Sequence, residues 1–141
     1  MKVLLHSDKL KTIEKSGVGR AIKHQMKALE LNNIEYTLDP NDSYDIIHIN
    51  TIFPESYLMG KKAKKNGAKV IYHAHSTEED FRNSFLLSNQ AAPLFKVWLK
   101  KCYSSADLIV TPTPYSKRLL ESYDLGKEIV AVSNGIELEF F

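Results

Sequence analysis

Six short runs of apolar or alternating residues punctuate this chain, and the segments between them carry apolar residues at helical spacing. The runs are "KVLLH" at 2–6, "IEYTL" at 34–38, "DIIHIN" at 45–50, "KVIYHAH" at 69–75, "DLIVTPT" at 107–113 and "EIVAVSNG" at 128–135. A strand that is apolar without alternation is buried on both faces. Strands separated by helices join through right-handed crossovers into a parallel sheet covered on both sides. The pattern therefore predicts an α/β fold with a doubly wound, Rossmann-like parallel sheet. The helical segments fit between the strands. Ile22, Met26 and Leu29, with Ala21 and Ala28 beside them, make one apolar face over 19–31. "SYLMGKKAKKNG" ends in lysines and Gly67, which suit a helix C-terminus. Ser76 or Thr77 opens a capping pattern, Pro93 stands near the start of a helix through "APLFKVWLKKCYSSA", and Gly126 closes "PYSKRLLESYDLG". A chain of 141 residues suits one domain with a real core, assigned here to 1–132.

In such folds ligands bind beyond the carboxyl ends of the strands. That rule gathers Ser7–Gly19, Asp39, Asn50–Phe53, His75–Ser76 and Thr111–Thr113 onto one rim. The rim includes a glycine turn opening a helix, "KSGVGRAIKHQMKAL" at 15–29. Gly17 and Gly19 allow a tight turn and close approach of a ligand, and the first amides of the helix have no partner inside it. Such a terminus suits an anion or is a plain helix start. Arg20 beside it either meets phosphate or faces water. The dinucleotide fingerprint fits poorly. Ile22 stands where a third glycine or alanine belongs, and ten residues separate His6 from Gly17 although the fingerprint turn follows its strand directly. Asp39 alone sits where a ribose-binding acid would.

Composition excludes several classes. The net charge of +2 is too small to imply nucleic acid, although lysines crowd "GKKAKKNGAK" and "KVWLKK". Cys102 is the single cysteine, so an intrachain disulfide is impossible and a reducing, cytoplasmic setting is expected. "MKVLLHSDKL" has an apolar run too short for a signal peptide or a membrane span. The histidines lack clustered carboxylate or cysteine partners, so no metal site is expected.

Five landmarks occur in order along the chain: "SGVGRAIKHQMKAL", "YDIIHIN", "VIYHAHS", "ADLIVTPTPYSKRLL" and "IVAVSNGIELEFF". Together they resemble the N-terminal domain of the retaining, GT-B-fold glycosyltransferases of the large group 1 family. "HAHSTEEDFRNSF" is most similar to the diacylglycerol glucosyltransferases of Gram-positive bacteria, which transfer glucose from UDP-glucose to a membrane diacylglycerol in glycolipid synthesis. The resemblance implies the N-terminal half of a GT-B fold. In that fold this domain holds the acceptor, and a second domain beyond a hinge at 133–141 holds the nucleotide sugar. It implies that Gly17, with Gly19 and Arg20 beside it, reaches the donor diphosphate. His75 corresponds to the family's histidine near the reacting sugar; the plainer reading is a histidine capping a strand end. The family often carries a second histidine where this chain has Asn50, which can still bond a sugar or glycerol hydroxyl. Asn50, Ser76, Phe81 and Phe85 are the acceptor-binding candidates. His73 and His48 read as packing residues behind the site, and His24 as a helix-surface residue. Transfer in this family needs no carboxylate base from this domain, so Glu78, Glu79 and Asp80 read first as acids serving a helix dipole. No cofactor is expected beyond the donor substrate, and the chain alone is expected to be inactive.

A lipid acceptor requires a membrane-docking surface. Leu94, Phe95, Trp98, Leu99 and Cys102 read as one helical face flanked by Lys96, Lys100 and Lys101, which suits a helix lying on anionic lipid at the inner face of the plasma membrane. The competing reading packs that face on the protein's own sheet. Other readings are a soluble sugar or cell-wall polymer as acceptor, and a non-catalytic membrane- or carbohydrate-binding module.

Overall fold

The apolar runs are strands. The computed structural model describes residues 1–7, 17–75 and 88–133. The elements in order are β1 (Lys2–His6), α1 (Gly17–Leu31), β2 (Glu35–Thr37), β3 (Ile46–Ile49), α2 (Pro54–Lys65), β4 (Lys69–His73), α3 (Ser88–Ser104), β5 (Leu108–Thr111), α4 (Pro114–Glu121) and β6 (Ile129–Ala131). They build one six-stranded sheet in the order β2-β1-β3-β4-β5-β6, every pair parallel. This is the expected doubly wound α/β sheet. Val3, Leu4 and Leu5 are buried in succession, as a strand covered on both faces requires. The core joins Leu4, Ile47, Ile49, Val70, Tyr72 and Ile109 of the strands to Leu99, Cys102 and Tyr103 of α3. Tyr72 meets Tyr103 edge-on, with centroids 5.5 Å apart.

Local chemistry sets the helix ends. Gly67 at φ 90° closes α2: its N–H bonds the Lys64 carbonyl at 3.1 Å and the Ala68 N–H bonds Ala63 at 3.0 Å, the paired closure of a Schellman motif. Thr113 caps α4, its hydroxyl oxygen accepting from the Ser116 N–H at 3.0 Å, with Pro114 at the first helical position. Helix boundaries differ from expectation: α2 begins at Pro54, and α4 ends at Glu121 with Ser122 as its cap, so Gly126 does not close it. Helix α1 begins at Gly17, so both glycines lie inside its first turn. Helix α3 begins at Ser88, which leaves Pro93 inside the helix with its ring on the exposed side. The expected capping pattern at 76–77 and, apart from Ser133, the expected hinge at 133–141 lie outside the described residues.

Helix α2 lies close to the sheet at Gly60, where an added Cβ would stand 2.9 Å from Ile49 Cδ1. Ile49 is fully buried, so its rotation is opposed by the packed core. Gly60→Val is expected to destabilise the fold by about 1–3 kcal/mol, read as a lower urea midpoint at unchanged slope; an unchanged midpoint would show that α2 shifts freely. At the N-terminal edge of the sheet, Asp107 accepts the Val70 N–H at 2.8 Å and pairs with Lys64 at 3.3 Å. Burial alone would raise the Asp107 pKa; these contacts outweigh it and hold the carboxyl below its usual range. A surface hollow of about 340 Å³ lies at this same edge, lined by Pro40, Asp42, Tyr44, Lys62 and Asn66 among others. It lies away from the strand ends where such folds bind their ligands.

Candidate functional site

Chain order reverses across the sheet between β1 and β3, because β1 continues to β2 on one side while β3 lies on the other. Open α/β sheets bind ligands in the crevice beyond such a switch point. There the Asn50 N–H bonds the His6 carbonyl at 2.9 Å, carrying the β1–β3 pairing one step past the strands. Residues two apart on a strand point to the same side. His48 and Asn50 thus share a face with each other, as do His73 and His75, and the two pairs meet. His73 stacks on His75 with centroids 4.2 Å apart, and lies nearly parallel to His48 with centroids 5.2 Å apart. His48 Nε2 lies 3.0 Å from His73 Nδ1, and His75 Nε2 lies 3.0 Å from Asn50 Oδ1.

Helix α1 lies against this cluster through Gln25. Its Nε2 donates to Asn50 Oδ1 at 2.8 Å, and Asn50 Nδ2 donates back to Gln25 Oε1 at 3.1 Å. Asn50 Nδ2 also faces the His48 carbonyl at 3.5 Å, a contact too long to be strong but open only to a donor. That carbonyl gives the Asn50 amide its sense, and the reciprocal pair with Gln25 holds it there. With Nδ2 turned toward it, Asn50 Oδ1 must be the acceptor for His75, so His75 carries its proton on Nε2 and keeps Nδ1 as a lone-pair nitrogen. Gln25 Nε2 lies 3.3 Å from His73 Nδ1, which makes that nitrogen an acceptor and His48 Nε2 its donor.

Burial pushes His48 down to about 3, with His73 and His75 adding to the effect. Burial likewise pushes His75 down to about 3, with His73 adding. Both imidazoles are therefore neutral at physiological pH. A neutral imidazole of such low basicity does not remove a proton from an alcohol, but its Nδ1 can accept a hydroxyl hydrogen bond and orient that oxygen.

The backbone around the cluster is held from below. Tyr72 OH donates to the Thr51 carbonyl at 2.9 Å, Trp98 Nε1 donates to the Ile52 carbonyl at 2.6 Å, and the Thr51 and Ser56 hydroxyls are 2.6 Å apart. The Ala74 N–H reaches the Val110 carbonyl at 2.7 Å and Thr111 Oγ1 reaches the Ala74 carbonyl at 3.3 Å. A site built on strand ends fixed in this way is rigid enough to orient a reactant.

Of the residues singled out in the sequence, His75 and Asn50 come together here. Asn50 is 3% exposed, so it stands behind His75 and not on the surface of the site. Gly17, Gly19 and Arg20 form the first turn of α1, which contains no acidic residue. Gln25 is eight residues along the helix from Gly17, which places the helix start about 12 Å beyond the level of the cluster along the axis. Ser76, Phe81 and Phe85, with Glu78, Glu79 and Asp80, lie outside the described residues. Sequence reasoning missed Gln25; its signal is an amide placed four residues after Ala21 and three after Ile22, both buried.

The expected membrane face of α3 is divided. Leu99 and Cys102 are fully buried and Phe95 and Trp98 pack against the core. The lipid-facing reading of Leu99 is therefore corrected: it packs on the sheet, and the Trp98 indole is committed to the Ile52 carbonyl. Leu94 is 76% and Val97 66% exposed. Lys100 and Lys101 are exposed; Lys101 and Lys61 of α2 both stand 5.3 Å from the Tyr57 ring centroid, and Lys96 lies 4.7 Å over Tyr123. No helix among the described residues is long and apolar enough to cross a membrane.

Comparison with known proteins bears on this geometry. The model of Glycosyltransferase Family 4 matches residues 17–140, from the first glycine of α1 onward. A processive diacylglycerol alpha-glucosyltransferase of Acholeplasma laidlawii is 49% identical over 142 residues, covering 100% of this chain. The chain spans 42% of the length of that relative. No solved structure matches it.

Proposed function

Because this chain belongs to glycosyltransferase family 4, we propose that it is the acceptor-binding domain of a hexosyltransferase that moves glucose from UDP-glucose to a membrane diacylglycerol in glycolipid synthesis. The observation that carries the reading is the neutral imidazole of His75, held at the switch point with Nδ1 as its acceptor nitrogen. In the proposed reaction the acceptor hydroxyl first donates to that nitrogen, which fixes its oxygen facing the anomeric carbon; as the oxygen forms the new bond, its one hydrogen leaves Nδ1 and turns to the departing diphosphate. The bond from that carbon to the diphosphate breaks, and a diphosphate oxygen takes the hydroxyl proton, so no carboxylate base is needed. The relative is named for an alpha product, and UDP-glucose is itself alpha at the anomeric carbon; an alpha product thus means retention. The projecting, acid-free start of α1, with Gly17, Gly19 and Arg20, suits the donor diphosphate. The nucleotide sugar would be held mainly by a second domain beyond the hinge at 133–141. Neither a cofactor nor nucleic acid enters this scheme.

Docking is proposed through the ridge of Leu94, Val97 and Lys101 with Lys100 and with Lys61 of the adjacent α2, peripheral to the inner face of the membrane. The test is co-sedimentation with anionic and zwitterionic vesicles, with and without diacylglycerol, at two salt concentrations. Binding is expected to be anionic-selective, salt-sensitive and increased by diacylglycerol. Each Lys→Ala change on the ridge should weaken it roughly fivefold, about 1 kcal/mol, and L94S with V97S should weaken it further. Equal binding by all variants would remove this surface, and indifference to diacylglycerol would favour a soluble sugar or polymer acceptor.

A further inference from the structure

We infer that Gln25 is a positioning residue for the transfer site, fixing the Asn50 amide and through it the proton of His75. This rests on the proposed role of His75 and adds a residue to it. A solvent-exposed asparagine rotates its amide at little cost, and an imidazole hydrogen-bonded to it can then adopt either neutral tautomer. Here that freedom is removed. Gln25 and Asn50 exchange two hydrogen bonds, at 2.8 and 3.1 Å, in a reciprocal amide pair. The pair holds the Asn50 amide in place. With Nδ2 turned toward the His48 carbonyl, which is too distant to hold it alone, Asn50 Oδ1 is the group offered to His75 Nε2 at 3.0 Å. The second Gln25 hydrogen points to His73 Nδ1 at 3.3 Å, and His73 stacks on His75. One side chain therefore constrains both the hydrogen-bond partner of His75 and the ring it lies on.

Gln25 also belongs to the helix whose first turn carries Gly17, Gly19 and Arg20. The bonds that orient His75 are the bonds that tie α1 to the ends of β3 and β4. The helix start and the accepting nitrogen of His75 are thereby held in a fixed relation. For a reaction joining a diphosphate-bound sugar to a hydroxyl, that relation sets the alignment of the two reactants, where small misplacements are costly.

The decisive measurement is the protonation pattern of the histidine ring nitrogens in the full-length protein labelled with 15N-histidine, His75 being identified by its loss in His75→Ala. In the wild type, His75 is expected to show protonated Nε2 and lone-pair Nδ1 throughout pH 5–8. Gln25→Met keeps volume and removes both amide groups; His75 should then populate both tautomers. Transfer should fall about 5–20-fold in kcat, with KM for UDP-glucose within twofold. Gln25→Glu serves if the methionine variant does not fold: it replaces the donor facing His73 Nδ1 with an acceptor, and His73 should become protonated there. An unchanged His75 pattern in a folded Gln25→Met protein, or an unchanged His73 in Gln25→Glu, would overturn the inference. The nitrogen spectra do not depend on which reaction the site performs. If His75→Ala kept full transfer while Gln25→Met still mixed the tautomers, the role of His75 would fall and the positioning by Gln25 would stand.

Discussion

His75→Ala is expected to lower glucosyl transfer by the full-length protein about 100-fold, with the KM for nucleotide sugar within a factor of two. The loss follows from the single task assigned to the ring. With a pKa pushed down to about 3, His75 is no general base at neutral pH, so its removal does not delete a proton transfer. It deletes the acceptor that orients the attacking hydroxyl as it is brought up to the anomeric carbon, a loss of alignment in the bound complex. His75→Gln can present an oxygen from a similar distance and should recover part of the activity, whereas His75→Leu should not. Full activity in His75→Ala would show that acceptor orientation lies elsewhere.

Stability should fall steeply as the medium is acidified from pH 6.5 to 5. His48 and His75 both bind a proton far less readily in the fold, at about 3, than at the ordinary 6.5 of the unfolded chain. Above pH 6.5 neither state holds these protons and the pair adds no pH dependence. Below 6.5 the unfolded chain takes up two protons that the fold refuses, so acid favours unfolding all the way down toward the folded pKa. Each group contributes up to about 1.4 kcal/mol per pH unit in that window. Allowing for the partial exposure of His75, the two together should remove on the order of 2–4 kcal/mol by pH 5, a large share of a typical domain's stability. Urea midpoints at pH 7, 6 and 5 measure the slope, and His48→Gln should flatten it by about half. A midpoint that does not move over this range would mean that both rings are protonated in the fold, and half the slope would mean that one is.

The strands were legible because a doubly wound sheet writes itself as apolar runs; β1 matches "KVLLH" residue for residue. The rim of strand ends was legible too, but the switch point between β1 and β3 was not, since element order alone does not fix the order of strands in the sheet. Side-chain placement was harder. Leu94 and Leu99 read as one stripe, yet five residues along a helix is a rotation of about 140°. Leu99 shares its side with Phe95 and Cys102 and is buried, while Leu94 shares its side with Val97 and is exposed. A single window of apolar residues merged two faces that the sheet keeps apart. Pro93 marked no helix start, because its ring is accommodated on the exposed side of α3. Gln25 was invisible for a different reason. An amide between Ile22 and Met26 looks like the border of an apolar face, and only the approach of Asn50 and His73, 25 and 48 residues away, gives it a task. His48 and His73 were read as packing residues behind the site, and their place in the stack agrees.

Supplying the full-length protein with UDP-glucose and vesicles of diacylglycerol in anionic lipid, and identifying the products by mass spectrometry, decides whether the lipid accepts the sugar. The expected result is a diacylglycerol that has gained one hexose, formed by the wild type and nearly absent with His75→Ala. Glucose released only to water, or found on a soluble acceptor while diacylglycerol stays unmodified, would contradict it.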